Sequence, residues 1–168
     1  TKEVFDEDGW FHTGDIGEID SDGFVKIIDR KKDIIVTSQG KNISPQRVEN
    51  LIKSKSSVIA HVVLVGERKA YLTALIALDR INATNLAFPK KDPAMVNMLE
   101  LSAHQTIFLE VKNAIASANE SLASFEQIKR FRILDVEFKV GEHLTPTLKV
   151  KRKFCVDKFK KEIKVLYA

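Results

Sequence analysis

Short alternating segments and helical stripes follow one another along the 168 residues, with no internal repeat. Residues 1–23 are punctuated by turn formers at Asp8-Gly9, Gly14, Gly17 and Asp22-Gly23. Between them the pattern predicts a hairpin of Ile16–Asp20 with Phe24–Asp29 across the Asp22-Gly23 turn. A further short β segment is expected over Asp33–Thr37. Ser44-Pro45 opens a helix, with Ser as N-cap and Pro at the first helical position, and Val48, Leu51 and Ile52 supply its apolar face. Two strongly β-prone runs follow, Val58–Val65 and Tyr71–Leu78, and they read as an antiparallel pair covered by helices. Residues 92–130 carry apolar stripes at helical spacing: Met95, Leu99 and Leu101, then Ile107, Phe108, Val111 and Ile115, then Phe125 and Ile128. Phe131–Phe138 returns to strand, Val140–Thr147 is a loop with Gly141 and Pro146, and Phe154–Leu166 is a closing helix. The expected fold is α+β, a small antiparallel or mixed sheet flanked by helices and preceded by a β-hairpin.

Composition narrows the class. With 44% hydrophobic and 30% charged residues the chain is ordinary for a globular protein, which excludes disordered and collagen-like classes. No apolar run approaches the ~20 residues that span a bilayer. Cys155 is alone, so no internal disulfide framework exists and a reducing compartment is expected. The acidic start TKEVFDEDGWFHTGD has neither a basic nor an apolar leader region, so no signal peptide is expected, and the missing initiator Met suggests a piece of a longer chain. Net charge is +4, but Lys149–Lys164 alone carries +6 and the remainder −2. Such a tail fits a binding module for nucleic acid or an anionic membrane surface; a solvated amphipathic helix is the simpler reading. The tail has few aromatics for base stacking, and no known nucleic-acid-binding signature is present.

Three segments hold candidate chemistry. In Asp8–Phe24, Asp15 lies between glycines and can accept hydrogen bonds from two vicinal hydroxyls, as on a ribose. In Ile27–Glu49, Arg30 offers a guanidinium fork for the same hydroxyls or a phosphate, and Gly40 suits a left-handed backbone or a close ligand approach. In His143–Phe154, Lys149, Lys151 and Lys153 follow a proline-containing loop able to deliver a cation to an anionic site. His12, His61, His104 and His143 are widely spaced without ligand pairing, so no metal site is expected, and His61 reads as a core or edge histidine. The sequons at Asn82 and Asn119 are coincidental in an intracellular protein.

In this order and spacing the segments resemble the C-terminal part of the adenylate-forming acyl-CoA synthetase superfamily. The resemblance covers nearly the whole chain and is most specific at Gly9–Asp15, at Asp29–Asp33 through Gly40 and Glu49, and at Leu144–Lys149. The last stretch looks like the long-chain fatty acid–CoA ligase branch. The resemblance implies that residues 1–31 end a large N-terminal domain and that residues 32–168 form a mobile lid. It further implies Asp15 and Arg30 as binders of the ATP ribose, Lys32 as hinge, Gly40 at the coenzyme A tunnel and Lys149 as the adenylation lysine, with Lys151 and Lys153 as competitors. ATP, Mg²⁺ held mainly by the absent large domain, and coenzyme A are the implied cofactors and co-substrates. The implied partners are that large domain and a long-chain fatty acid, in a cytoplasmic enzyme with room for peripheral membrane contact. One departure stands out. Many members place glycine immediately before the lysine, where this chain has Leu148.

Overall fold

A computed structural model describes residues 4–168. The first pair of strands, β1 (Asp15–Ile19) and β2 (Val25–Arg30), forms the expected hairpin, with Asp15 opposite Arg30 at its open end. Next, β3 (Ile35–Val36) and β4 (Asn42–Ile43) make a second small antiparallel ladder around the turn that contains Gly40. Helix α1 (Pro45–Lys53) starts where the Ser-Pro signal places it, with Ser44 Oγ accepting the Arg47 N–H at 3.4 Å. It buries Val48 and Ile52.

The central sheet has the order β5-β6-β7, from β5 (Ile59–Val65), β6 (Leu72–Leu78) and β7 (Ile128–Ile133). The β5–β6 pair is antiparallel and the β6–β7 pair parallel, so the sheet is mixed. Every residue of β6 is buried, as expected for a central strand covered on both faces. On one face lie α1, α2 (Arg80–Ala87), α3 (Met98–Ser102) and α4 (Gln105–Glu120), packed over Val62, Leu64, Leu72, Ala74 and Ile76. On the other, α5 (Arg152–Lys158) and α6 (Lys160–Leu166) bury Cys155, Phe159, Ile163 and Leu166 against Val63, Val65, Leu75 and Ala77. This is the α+β class that the sequence pattern predicts.

Four elements differ from expectation. Residues 92–130 are not one helical stretch, because polar caps cut it into pieces. Asp92 Oδ1 accepts Ala94 N–H at 2.9 Å, Asn97 Oδ1 accepts Glu100 N–H at 2.7 Å, and His104 Nδ1 accepts Thr106 N–H at 3.2 Å. After α4 the Asn119 side chain bonds both the N–H and the C=O of Ile128, at 2.9 and 3.0 Å. That clasp turns the chain back, so β7 begins at Ile128 and ends at Ile133 rather than spanning Phe131–Phe138. Helix α2 falls where the polar sequence suggests no element; its start is capped by Asp79, which accepts Asn82 N–H at 2.9 Å. The closing helix breaks at Phe159 (φ −100°, ψ 30°), where that ring is buried against Phe138 and His143. Tertiary packing there overrides an unbroken helical period.

The hairpin is tied to the body through Asp29, which is 5% exposed. Its Oδ2 accepts from Ser44 Oγ at 2.6 Å and Gln46 N–H at 3.2 Å, and its Oδ1 from Arg30 N–H at 2.8 Å. A carboxylate over the first turn of α1 also complements the helix dipole. Asp29→Ala orphans these donors, and urea unfolding is expected to show a loss of about 1–3 kcal/mol.

Candidate active site

The turn before Lys149 is tightly drawn. Leu148 N–H donates to Thr145 C=O at 2.9 Å, and Thr145 N–H donates to Lys149 C=O at 2.8 Å. Thr145 Oγ1 accepts the Lys149 N–H at 3.1 Å. Pro146 stands at the second turn position, where its fixed φ is favourable. The residue that closes a turn of this kind adopts left-handed backbone, and Leu148 does so at φ +62°. Leu148 thus occupies a conformation in which glycine is unstrained and leucine costs about 1–2 kcal/mol.

Lys149 leaves this turn with its side chain exposed and without a hydrogen-bond or ion-pair partner among the described residues. Its two competitors differ. Lys151 Nζ donates to Gly141 C=O at 2.6 Å and so braces the loop. Lys153 is the second residue of α5 and is exposed. All three line an open cleft of about 1050 Å³ that Asp29, Arg30 and Asp33 also line. Six cationic and four acidic side chains border it, and three of the acids are already engaged, Asp29 by Ser44, Glu49 by Arg152 and Asp157 by Lys160. The cleft therefore favours an anion.

Arg30 Nε lies 3.3 Å from Asp15 Oδ1 across the hairpin, so the two residues assigned to one ligand are neighbours. Arg30 and Lys149 share the cleft; Asp15, Lys32 and Gly40 are not part of its wall. Lys32 sits in the exposed turn after β2. Gly40 has φ +73°, and a Cβ there would meet nothing within 4 Å, so the chain itself leaves that face open.

Sequence reasoning did not find the residue that holds the cleft together. Arg152 Nη1 and Nη2 clasp Glu49 Oε1 and Oε2 at 2.6 and 2.8 Å. Leu64 N–H donates to Glu49 Oε1 at 2.6 Å, and Arg152 Nη1 donates to Leu64 C=O at 3.0 Å. Burial pushes the Glu49 carboxyl above its ordinary value, and the Arg152 hydrogen bond and charge pull it back. No local signal marks this pair, which spans 103 positions. His61 is half-buried in β5, as expected, and burial followed by the Lys53 charge lowers its pKa. Half of the basic tail is occupied at home: Lys151, Arg152, Lys158 and Lys160 have partners within the chain. Among the described residues no helix is long and apolar enough to cross a membrane.

The structure thus presents a small mixed α+β domain with a lysine-tipped turn at an open cleft. The chain belongs to the family described as the AMP-binding enzyme C-terminal domain, whose model matches residues 32–168. The long-chain-fatty-acid–CoA ligase FadD15 of Mycobacterium tuberculosis is 39% identical over 169 residues, covering 99% of this chain and 28% of its own length. The long-chain-fatty-acid–CoA ligase ACSBG2 of Gallus gallus is 30% identical over 185 residues, covering 100% of this chain and 24% of its own length. The chain thus spans between 24% and 29% of the length of the curated relatives it matches. Among solved structures, the adenylation domain of a carboxylate reductase from Mycobacterium chelonae shares the fold with a TM-score of 0.76 at 22% identity, covering 98% of this chain and 24% of that one. A Mycobacterium tuberculosis fatty acyl CoA synthetase does so at 0.52 and 22%, covering 96% and 26%.

Glu49→Ala leaves the Arg152 guanidinium half-buried without its carboxylate. Denaturant unfolding is expected to show a loss of about 3–5 kcal/mol, as for other broken buried pairs.

Proposed function

We propose that the whole protein is an AMP-forming long-chain fatty acid–CoA ligase, and that this chain is its hinge and lid. Residues 1–31 end the large domain and residues 32–168 form the lid, a division supported by the span of the family match. The observation that carries the chemistry is Lys149, exposed at the exit of a braced turn and unpartnered among the described residues, across one cleft from Arg30.

In the first half-reaction a fatty carboxylate attacks the α-phosphorus of ATP and pyrophosphate leaves. Negative charge meets negative charge on approach, and more develops on the leaving group. The Lys149 ammonium, brought into that water-poor site by lid closure, contacts both and stabilises the developing charge. Asp15 accepts from the ribose hydroxyls, and Arg30 holds that carboxylate and reaches the ligand beside it. Lys151 is a weaker candidate because its ammonium is spent on Gly141.

In the second half-reaction the coenzyme A thiol attacks the acyl carbonyl and AMP leaves. The lid then presents another face, with rotation absorbed at Lys32. Gly40, open on its outer side, lets the thiol arm pass. Among the described residues no group of three or more His, Cys, Asp or Glu side chains converges to hold Mg²⁺, and no step here runs through the ion. The buried, unpaired Cys155 suits a cytoplasmic enzyme. Its thiol is pushed up to about 11 by burial, so it takes no part as a nucleophile.

In the full-length protein, Lys149→Ala is expected to lower fatty-acid-dependent pyrophosphate release by ~10²–10³-fold. Thioester formation from supplied acyl-adenylate should persist; equal loss of both half-reactions would argue against the assignment. Lys32→Pro should give the reverse, because proline fixes φ near −65° and restricts the hinge. Stopped-flow measurement of adenylation beside thioester formation separates the two; unchanged transfer in that variant removes Lys32 from the hinge.

A further inference from the structure

Beneath the Lys149 turn lies a histidine that the proposed chemistry leaves unused. His143 is 2% exposed. Its ring lies 4.7 Å from that of Phe138 at an interplanar angle of 5°, and 6.0 Å from that of Phe159 at 13°. Phe154 meets it edge-on at 5.8 Å. Phe138 stacks in turn on His61 of β5, at 5.7 Å and 15°. The backbone of the same residue holds the loop closed. His143 N–H donates to Lys139 C=O at 3.0 Å, and His143 C=O accepts Lys151 N–H at 2.8 Å. The ring is therefore anchored in the core at a residue bonded directly to the segment two positions past Lys149.

The polar neighbours of the ring select its charge state. Nδ1 stands 3.3 Å from the Lys139 N–H, and Nε2 stands 3.1 Å from Lys158 Nζ of α5. Both nitrogens face donors. A neutral imidazole can accept from one of them, whereas an imidazolium accepts from neither and points N–H at N–H. Glu142 is the nearby carboxylate, 3.7 Å from Nδ1, but it is already paired with Lys158. The remaining groups packed around the ring are Phe138, Phe154 and Phe159, the Cys155 thiol that meets the His143 carbonyl at 3.9 Å, and His61 beyond Phe138 with Lys53 near it. Burial first, then the Lys158 and Lys139 charges, push the His143 pKa below 6.5, while Glu142 opposes them.

We infer that His143 is a positioning residue for Lys149: as a neutral, stacked imidazole it holds the loop that presents the lysine, and proton uptake at the ring releases that loop. The inference rests on reading Lys149 as the adenylation lysine. Because the folded value lies below the unfolded 6.5, the ring's contribution is complete above that pH and is lost as pH falls through the folded value.

The test follows pyrophosphate release by the full-length protein, with MgATP and a long-chain fatty acid, from about pH 5.5 to about pH 8. Wild type should lose kcat on the acid side while KM for ATP holds. His143→Phe keeps a stacked ring that cannot titrate, and it should flatten the acid limb while leaving kcat at the alkaline end near wild type. His61→Phe should leave the limb in place. His143→Ala should cut kcat about 10²-fold across the range. In that variant hydrogen-exchange protection should fall at the Lys151 and Cys155 amides and persist across β6. The inference is overturned if His143→Phe retains the wild-type limb, if His61→Phe removes it, or if His143→Ala loosens β6 as much as the loop. Normal adenylation by Lys149→Ala would instead remove the reading of the lysine, whatever the His143 variants do.

Discussion

A carboxylate and a guanidinium taken out of water together join the two ends of the sequence that the family match covers. Glu49 comes from α1 and Arg152 from the start of α5, and both use the backbone of Leu64 in β5 as a third partner. Two charges buried in this way gain little net stability over an apolar pair, because desolvation consumes most of their attraction. What they provide is register. A bidentate fork admits one geometry, and it sets the first turn of α5 against the sheet edge. Lys149 lies three residues before Arg152, so the place from which the lysine departs is set by this clasp.

The rest of the lysine's setting divides labour among neighbours of similar chemistry. Three lysines at positions 149, 151 and 153 border one cleft, yet one of them is consumed in bracing the loop. Leu148 accepts left-handed backbone at some cost, and Thr145 repays part of it by bonding both the N–H and the C=O of Lys149. Asp29, also in the cleft lining, secures the hairpin to the N-terminus of α1, and Arg30 stands beside Asp15 at the cleft. The site is built from two pieces, each rigid for its own local reason.

The excess positive charge near the C-terminus finds a similar resolution. Half of its lysine and arginine side chains meet acids or carbonyls of the same chain. The helices that carry them are amphipathic, with Cys155, Phe159, Ile163 and Leu166 turned into the core. A surplus of charge in the sequence thus becomes a solvated helix face and one anion-favouring cleft. That outcome favours the simpler of the two readings that charge alone allowed.

Much of the fold was legible in order and type. The hairpin, the Ser44-Pro45 helix start and the β5–β6 pair all follow from short-range chemistry: turn glycines, a cap with proline behind it, and two apolar, β-prone runs. The broken stretch from 92 to 130 was misjudged because apolar spacing continues across caps that redirect the backbone, and β7 was displaced by a clasp made from Asn119. Candidate residues Asp15, Arg30, Lys32, Gly40 and Lys149 are proposals drawn from local motifs. Which of them face a common cleft was decided only when the chain closed on itself. The partnership of Glu49 with Arg152, and the burial of His143 among three phenylalanines, involve positions that no window along the sequence contains together. Sequence sets what each residue can do, through charge, donor count and backbone preference. Desolvation and long-range pairing, which exist only in the folded chain, decide which of those capacities is used.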